Sequence, residues 1–194
     1  ITLLVGSAIT VGADATIPDN IILWFVGPGK LFVNSGKVLT INSPSQVLAH
    51  TQQQVFDGTG TVSFTNGGIV SPGWWGFSSG GTAAANADAY NACTASLTAT
   101  GGAIVIPPTG AAHQVDDTLT HPAKPMSVIG AHPELSIIES TATASLKHGL
   151  TFTRSHHVRN LTIKTSASLA SNYDMYGVRM DLDGVTVSGG NQAV

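Results

Sequence analysis

Two carboxylates stand two residues apart near the end of the chain, in the run Val178-Arg179-Met180-Asp181-Leu182-Asp183. In an extended strand alternate side chains share a face, and residues i and i+2 lie roughly 6.5–7 Å apart. With Val178, Met180 and Leu182 turned inward, Arg179, Asp181 and Asp183 fall together on an outward face. Glycosidic hydrolysis uses carboxyl pairs at about 5–5.5 Å when configuration is retained and about 6.5–9.5 Å when it is inverted. Asp181 and Asp183 are therefore the candidate catalytic pair. The plainer reading of the same spacing is two solvated surface carboxylates.

A positive cluster lies one repeat earlier, where His156-His157 is flanked by Arg154 and Arg159. A guanidinium can hold a sugar carboxylate through two parallel hydrogen bonds. A histidine near its usual pKa can serve as a general base. Arg179, His157 and Arg159 are accordingly candidate substrate-binding residues. Tyr173, in the polar stretch Thr165 to Asp174, is the candidate aromatic platform for a sugar ring. The competing reading of the His-Arg cluster is a polar turn. No cofactor or metal is expected, because neighbouring histidines on a strand face opposite ways and no further ligand spacing follows them.

The elements that must carry these residues are short β-type runs punctuated by Gly, Pro, Asn or Ser. They include Ile21 to Phe25, Lys30 to Val33, Val38 to Ile41, Thr61 to Phe64, Ala103 to Ile106, Ser127 to Ile129, Leu135 to Ile138, Leu161 to Ile163 and Val185 to Val187. Strands this short are not stable as lone hairpins and need partners above and below. Val158-Arg159-Asn160-Leu161-Thr162-Ile163 matches Leu182-Asp183-Gly184-Val185-Thr186-Val187 at an offset of 24 residues. A repeat of that length signals a solenoid or β-helix. Asn160 and Gly184 occupy the place where a left-handed bend would join two strands. That role also accounts for Asn160-Leu161-Thr162, which otherwise fits an N-glycosylation pattern. The same offset sets Arg159 beside Asp183.

Thr82 to Leu97 breaks the β pattern. It is Ala-rich, Tyr90, Cys93 and Leu97 share one helical face, and Thr82 suits an N-cap. The expected element is a helix that lids the strand stack, ended by Gly101-Gly102, with Cys93 buried and inert. Trp74-Trp75 reads as a packing anchor for that helix. His50, His113, His121, His132 and His148 read as surface or turn residues. Asp57-Gly58, Asn66-Gly67-Gly68 and Asp116-Asp117 read as turns.

Only 10% of residues are charged, 42% are hydrophobic and 22 are glycine. That composition excludes a disordered chain and a helical bundle. Net charge is −3 with 8 Lys+Arg, so no nucleic-acid partner is expected. The apolar run from Ile21 to Val26 is far below the roughly 18 residues of a membrane span, so no membrane insertion is expected. The single cysteine excludes an internal disulfide. No cap follows Val187, so the chain is expected to be a piece of a longer stack.

Trp74-Trp75-Gly76, the Ala-rich helix with Ala89-Tyr90-Asn91-Ala92-Cys93, and Gly101-Gly102-Ala103-Ile104-Val105-Ile106-Pro107-Pro108 together resemble the opening coils of the pectate-lyase-like right-handed parallel β-helix family. Ser127-Val128-Ile129-Gly130 with Ser136-Ile137-Ile138 resembles the coil that follows. The resemblance covers roughly residues 20 to 190. It departs at Ser78 to Ala84, where members of the family carry acids and this chain has none, and at Thr109 to His113, where many members have Gly then Tyr. The resemblance implies an all-β fold, a right-handed parallel β-helix forming a single-stranded solenoid. One short capping helix and the first coils would span 73–194, with a smaller β-rich region at 1–72 and a joint at Pro72-Gly73.

By that resemblance the expected function is that of a phage tailspike or virion receptor-binding protein. It would recognise, and in some members depolymerise, a bacterial surface polysaccharide. The expected assembly is a homotrimer and the expected place the phage tail or the extracellular space. The alternatives are a secreted polysaccharide lyase, glycoside hydrolase or epimerase, and a non-catalytic structural or adhesive β-helix.

Overall fold

A computed structural model describes residues 1–97, 101–121, 125–141, 150–151, 156–165, 180–183 and 186–188. Within them the chain is built mostly of short β-strands with one α-helix. The first nine strands are β1 (Thr2–Val5), β2 (Ala8–Val11), β3 (Ala15–Ile17), β4 (Ile22–Phe25), β5 (Lys30–Val33), β6 (Val38–Ile41), β7 (Val47–Leu48), β8 (Phe56–Gly58) and β9 (Thr61–Phe64). After them come β10 (Gly68–Val70), a 3-10 turn (Pro72–Trp75) and the helix α1 (Ala83–Ser96). Then follow β11 (Gly102–Ile106), β12 (Ala112–Val115), β13 (Leu119–Thr120), β14 (Met126–Gly130), β15 (Ile137–Ser140), β16 (Leu150–Thr151), β17 (His156–Arg159), β18 (Thr162–Thr165), β19 (Met180–Asp183) and β20 (Thr186–Ser188).

All the described pairings are parallel, and consecutive strands do not pair with each other except β10 and β11. Before the helix three sheets form, β1-β4-β7, β2-β5-β8 and β3-β6-β9. After it the sheets are β10-β11-β14-β17-β19, β12-β15-β18-β20 and β13-β16. Val158 faces Leu182 and Thr162 faces Thr186, so the 24-residue offset legible in the sequence is a strand register. Gly68 faces Gly102, so β10 and β11 belong to one sheet although the 3-10 turn and α1 lie between them.

Alternation explains which residues each strand buries. Leu23 and Phe25, Leu31 and Val33, Leu39 and Ile41, and Val62 and Phe64 point into a shared interior while their neighbours face out. Phe25, Phe56 and Phe64 come from three different sheets, yet Phe56 lies edge-on to the other two at 6.2 and 6.5 Å. The three sheets therefore enclose one core. Trp74 and Trp75 extend it, 6.5 and 4.9 Å from the Phe56 ring, as the packing anchor expected of them.

Corners are made by residues that accept a left-handed backbone. Asn160 has φ 56 between β17 and β18, the bend its place in the repeat predicted. Asn66 donates its side-chain amide to Asn42 Oδ1 at 2.9 Å, a side-chain rung one repeat apart. Two expected boundaries shift. Leu135 is exposed and β15 starts at Ile137, because Ser136 turns its hydroxyl inward to donate to the Ile106 carbonyl at 3.2 Å. Asp57-Gly58, read as a turn, closes strand β8 instead.

Helix α1 starts where the sequence placed it, with Thr82 Oγ1 accepting from the Ala85 amide at 3.2 Å, and Tyr90, Cys93 and Leu97 are fully buried. It packs on β9, the last strand of an earlier sheet, and on β12 and β13, the first strands of two later ones. It thus lies between the two sets of sheets, not over a single open end. Asn86 Nδ2 donates to the Ser78 and Gln114 carbonyls, both at 2.9 Å, and Asn91 Oδ1 accepts from the Thr120 amide at 2.9 Å.

Gly58 has φ 88 and lies so close to the preceding layer that a Cβ there would overlap the Val33 carbonyl; Gly36, at φ 71, has nothing near it. Gly36→Ala should lower the unfolding free energy by the left-handed penalty alone, about 1–2 kcal/mol. Gly58→Ala should cost clearly more, since β5 and β8 must also part. Urea unfolding of both variants checks the order, and equal midpoints would contradict the close approach of the two strands.

Candidate functional site

Strand β17 places Val158 in the core and leaves His157 and Arg159 exposed. Its register with β19 sets His157 opposite Asp181 and Arg159 opposite Asp183. Paired strands lie about 4.8 Å apart, so His157 and Arg159 each have an aspartate position as the nearest cross-strand neighbour. On the other side β14 contributes Ser127 and Ile129 to the same two columns. Four of the six sequence-predicted site residues, His157, Arg159, Asp181 and Asp183, are thereby brought to adjoining positions of one sheet. Arg179 and Tyr173 lie outside the described residues.

The bend at Asn160 carries the chain to the next sheet, where a second charged column begins. Gln114, Glu139, Lys164 and Ser188 are in register on β12, β15, β18 and β20, and Lys164 Nζ stands 3.6 Å from Glu139 Oε1. Glu139 is thus a mid-strand residue paired across the sheet. The corner separates an outward His-Arg pair from an outward lysine. Side chains of both signs recur along the stack at the layer spacing.

The earlier sheets present different outward chemistry. Leu4, Trp24 and Leu48 are in register on β1, β4 and β7, and each is about half exposed. Thr16, Thr40 and Ser63 form a hydroxyl column on β3, β6 and β9. On the sheet between them Thr10, Phe32 and Asp57 align, and Lys30 Nζ donates to Asp57 Oδ2 at 2.6 Å. The Lys30 hydrogen bond holds the Asp57 carboxyl below its usual range, and burial opposes it only in part. The alternation in Lys30-Leu31-Phe32-Val33 announced two of these residues. Asp57 was missed because Asp-Gly is also the commonest hairpin signal.

Two histidines read as surface residues are buried instead. His113 occupies an inward position of β12, because alternation with Val115 requires it, and its ring stacks on Phe77 at 4.5 Å and 9°. His121 is buried beside Tyr90, whose hydroxyl is 2.8 Å from Nε2. Burial lowers the His113 pKa, with a smaller opposing effect from the Ile137 carbonyl. Burial likewise pushes the Cys93 thiol well above its usual value, consistent with the inert thiol expected. Among the described residues no group of three His, Cys, Asp or Glu could hold a metal ion.

Comparison with protein-family models, curated proteins and solved structures finds no match to this chain.

Because His157 and Arg159 face solvent, His157→Ala and Arg159→Ala should each change the unfolding free energy by no more than about 0.5 kcal/mol. Val158→Ala, between them but fully buried, should cost about 2 kcal/mol. Glu139→Gln should cost less than about 1 kcal/mol, the ordinary worth of a partly exposed ion pair. Denaturant titration of the four variants checks this. A large loss at Arg159 would mean that its side chain is structural and not free for a ligand.

Proposed function

We propose that these strands wind as a right-handed parallel β-helix of the pectate-lyase-like kind, and that the protein recognises a bacterial surface polysaccharide. The role is that of a phage tailspike or virion receptor-binding protein. The winding reading is supported by parallel pairing at intervals of one repeat and by aromatic rings from three sheets meeting in one interior. The right hand follows the general rule for parallel strands joined by crossover connections.

One observation carries the functional reading: outward side chains recur in register from layer to layer. Glu139 and Lys164 are its clearest instance, and the register that sets His157 opposite Asp181 and Arg159 opposite Asp183 repeats it in position. A glycan is itself a linear repeat, and a ladder of this kind offers it many weak contacts along one axis. Arg159 and His157 would hold an acidic sugar or its hydroxyls. Asp181 and Asp183, two apart on one strand, have the spacing that glycosidic hydrolysis requires, which keeps the secreted lyase, hydrolase or epimerase as the second reading. The homotrimer that the resemblance implies is supported by the aligned column Leu4, Trp24 and Leu48, an outward stripe free of charge that suits burial between like chains.

Incubation with a panel of capsular and O-antigen polysaccharides, followed by sizing of the glycan and measurement of retained protein, tests the reading. Retention with an intact glycan is the expected result for a receptor-binding protein, and Arg159→Ala should weaken it at least tenfold. Shortened chains that survive in wild type but vanish in Asp181→Asn or Asp183→Asn would establish the enzyme. Neither retention nor cleavage on any glycan would overturn both. Sedimentation of wild type against Trp24→Asp tests the assembly separately: the wild type should sediment as a trimer and the variant as a smaller species.

A further inference from the structure

We propose that helix α1 is fastened to the strand stack by a histidine-ended aromatic cluster that loosens on mild acidification, uncovering the edges of β12 and β13. The cluster is continuous. His113 stacks on Phe77 at 4.5 Å, Phe77 meets Tyr90 at 6.0 Å, and the Tyr90 hydroxyl lies 2.8 Å from His121 Nε2. Tyr90 belongs to α1, Phe77 to the segment ahead of it, and the two histidines to β12 and the residue after β13. The cluster therefore spans the joint between the helix and the two strands it covers. All four side chains are buried.

The His113 imidazole is not placed to carry a proton. His113 Nδ1 is 3.1 Å from the Ile137 carbonyl, which fixes the hydrogen there, and Nε2 is buried with no hydrogen-bond partner. A proton added at Nε2 would be a buried charge without an acceptor. The Phe77 ring face returns part of that cost, but less than burying an unpaired charge takes. At the other end the Tyr90 hydroxyl and His121 Nε2 share a 2.8 Å hydrogen bond that ties α1 to the end of β13.

Among the described residues no carboxylate faces His113. From α1 the titratable groups facing inward are Tyr90 and Cys93, both held neutral by burial, while Asp88, the helix's single charged residue, is exposed. From β15 the neighbour in register is Ile138, with Glu139 on the opposite face, and from β18 it is Ile163, with Lys164 outward. After β12, Asp116 is exposed and Asp117 accepts from the Thr118 amide at 2.6 Å.

The direction of the effect follows from linkage. His113 is neutral in the closed state and regains an ordinary pKa near 6.5 when α1 lifts and water reaches it. Its contribution is complete above about pH 6.5 and is lost as pH falls below that value, because the open state takes up the proton. Acidification from pH 7.5 to 5.0 therefore favours opening, by at most about thirtyfold for one histidine that takes its proton only in the open state. The device matters because β12 and β13 are the outermost strands of their sheets, and bare strand edges are sites for pairing with another chain.

Amide hydrogen exchange at pH 7.5 and 5.0, corrected for intrinsic rates, tests this on the whole chain. Protection over residues 83–97 and in β12 and β13 should fall several-fold, and at most about thirtyfold, on acidification in wild type, while β4 to β6 stay protected. His113→Leu should remove most of that fall, and His121→Gln, which leaves His113 in place, should retain it. Unchanged wild-type protection would overturn the proposal. So would a uniform loss across β4 to β6, or a loss of equal size in both variants. Should the variants fail to fold, a wild-type NMR titration decides: the His113 ring proton should show no midpoint near 6.5 in the folded protein, and a midpoint there would sink the idea.

Discussion

Layer-to-layer hydrogen bonding between parallel strands is the constraint from which the rest of this structure follows. It fixes the distance between successive backbone layers and makes the side chains of one strand stack on those of the strand a repeat away. A residue facing in at one layer then meets the inward residue of the next, as Leu31 meets Phe56 and Val128 meets Val158. The same spacing leaves no room for a side chain where the backbone itself turns inward. Gly58 under the Val33 carbonyl and Gly130 under the Asn160 carbonyl are such points. Glycine here serves close approach as much as turning, which is why an Asp-Gly pair could end a strand without making a hairpin.

The fold was legible where alternation was clean. Lys30 to Val33, Val38 to Ile41 and Thr61 to Phe64 were read as strands from their pattern and are strands. The 24-residue offset gave the register of β17 with β19 and of β18 with β20 residue by residue. The helix was legible because its alanines and its Tyr90-Cys93-Leu97 face fit no strand. Strands β1 and β2 are not legible from sequence, since Thr2–Val5 and Ala8–Val11 have apolar or small residues on both faces. Leu3 is 47% exposed where its partner Leu23 is 1% exposed, so burial adds no contrast in the outermost layer.

The candidate site was legible in part, and for a physical reason. Outward residues are free of packing constraints, so their types report on chemistry, and their positions follow from register once the inward residues are known. That logic delivered His157, Arg159, Asp181 and Asp183 to neighbouring positions. It failed for His113 and His121 because histidine was judged by residue type and not by column. In Ala112-His113-Gln114-Val115, an inward Val115 obliges His113 to be inward too. Column position should have outranked polarity.

A stack of this kind separates two uses of the same residue type. His157 and His113 both sit on strands, at outward and inward positions, and only the first is exposed. An outward imidazole can meet a ligand at little cost to the fold. An inward one is tied to the packing of α1, so its protonation state is linked to whether that helix stays down. The alternation that turns one set of side chains outward is therefore also what hides a titratable group at the helix joint. Moving either histidine by one residue would exchange their roles, since a one-residue shift turns a side chain to the other face.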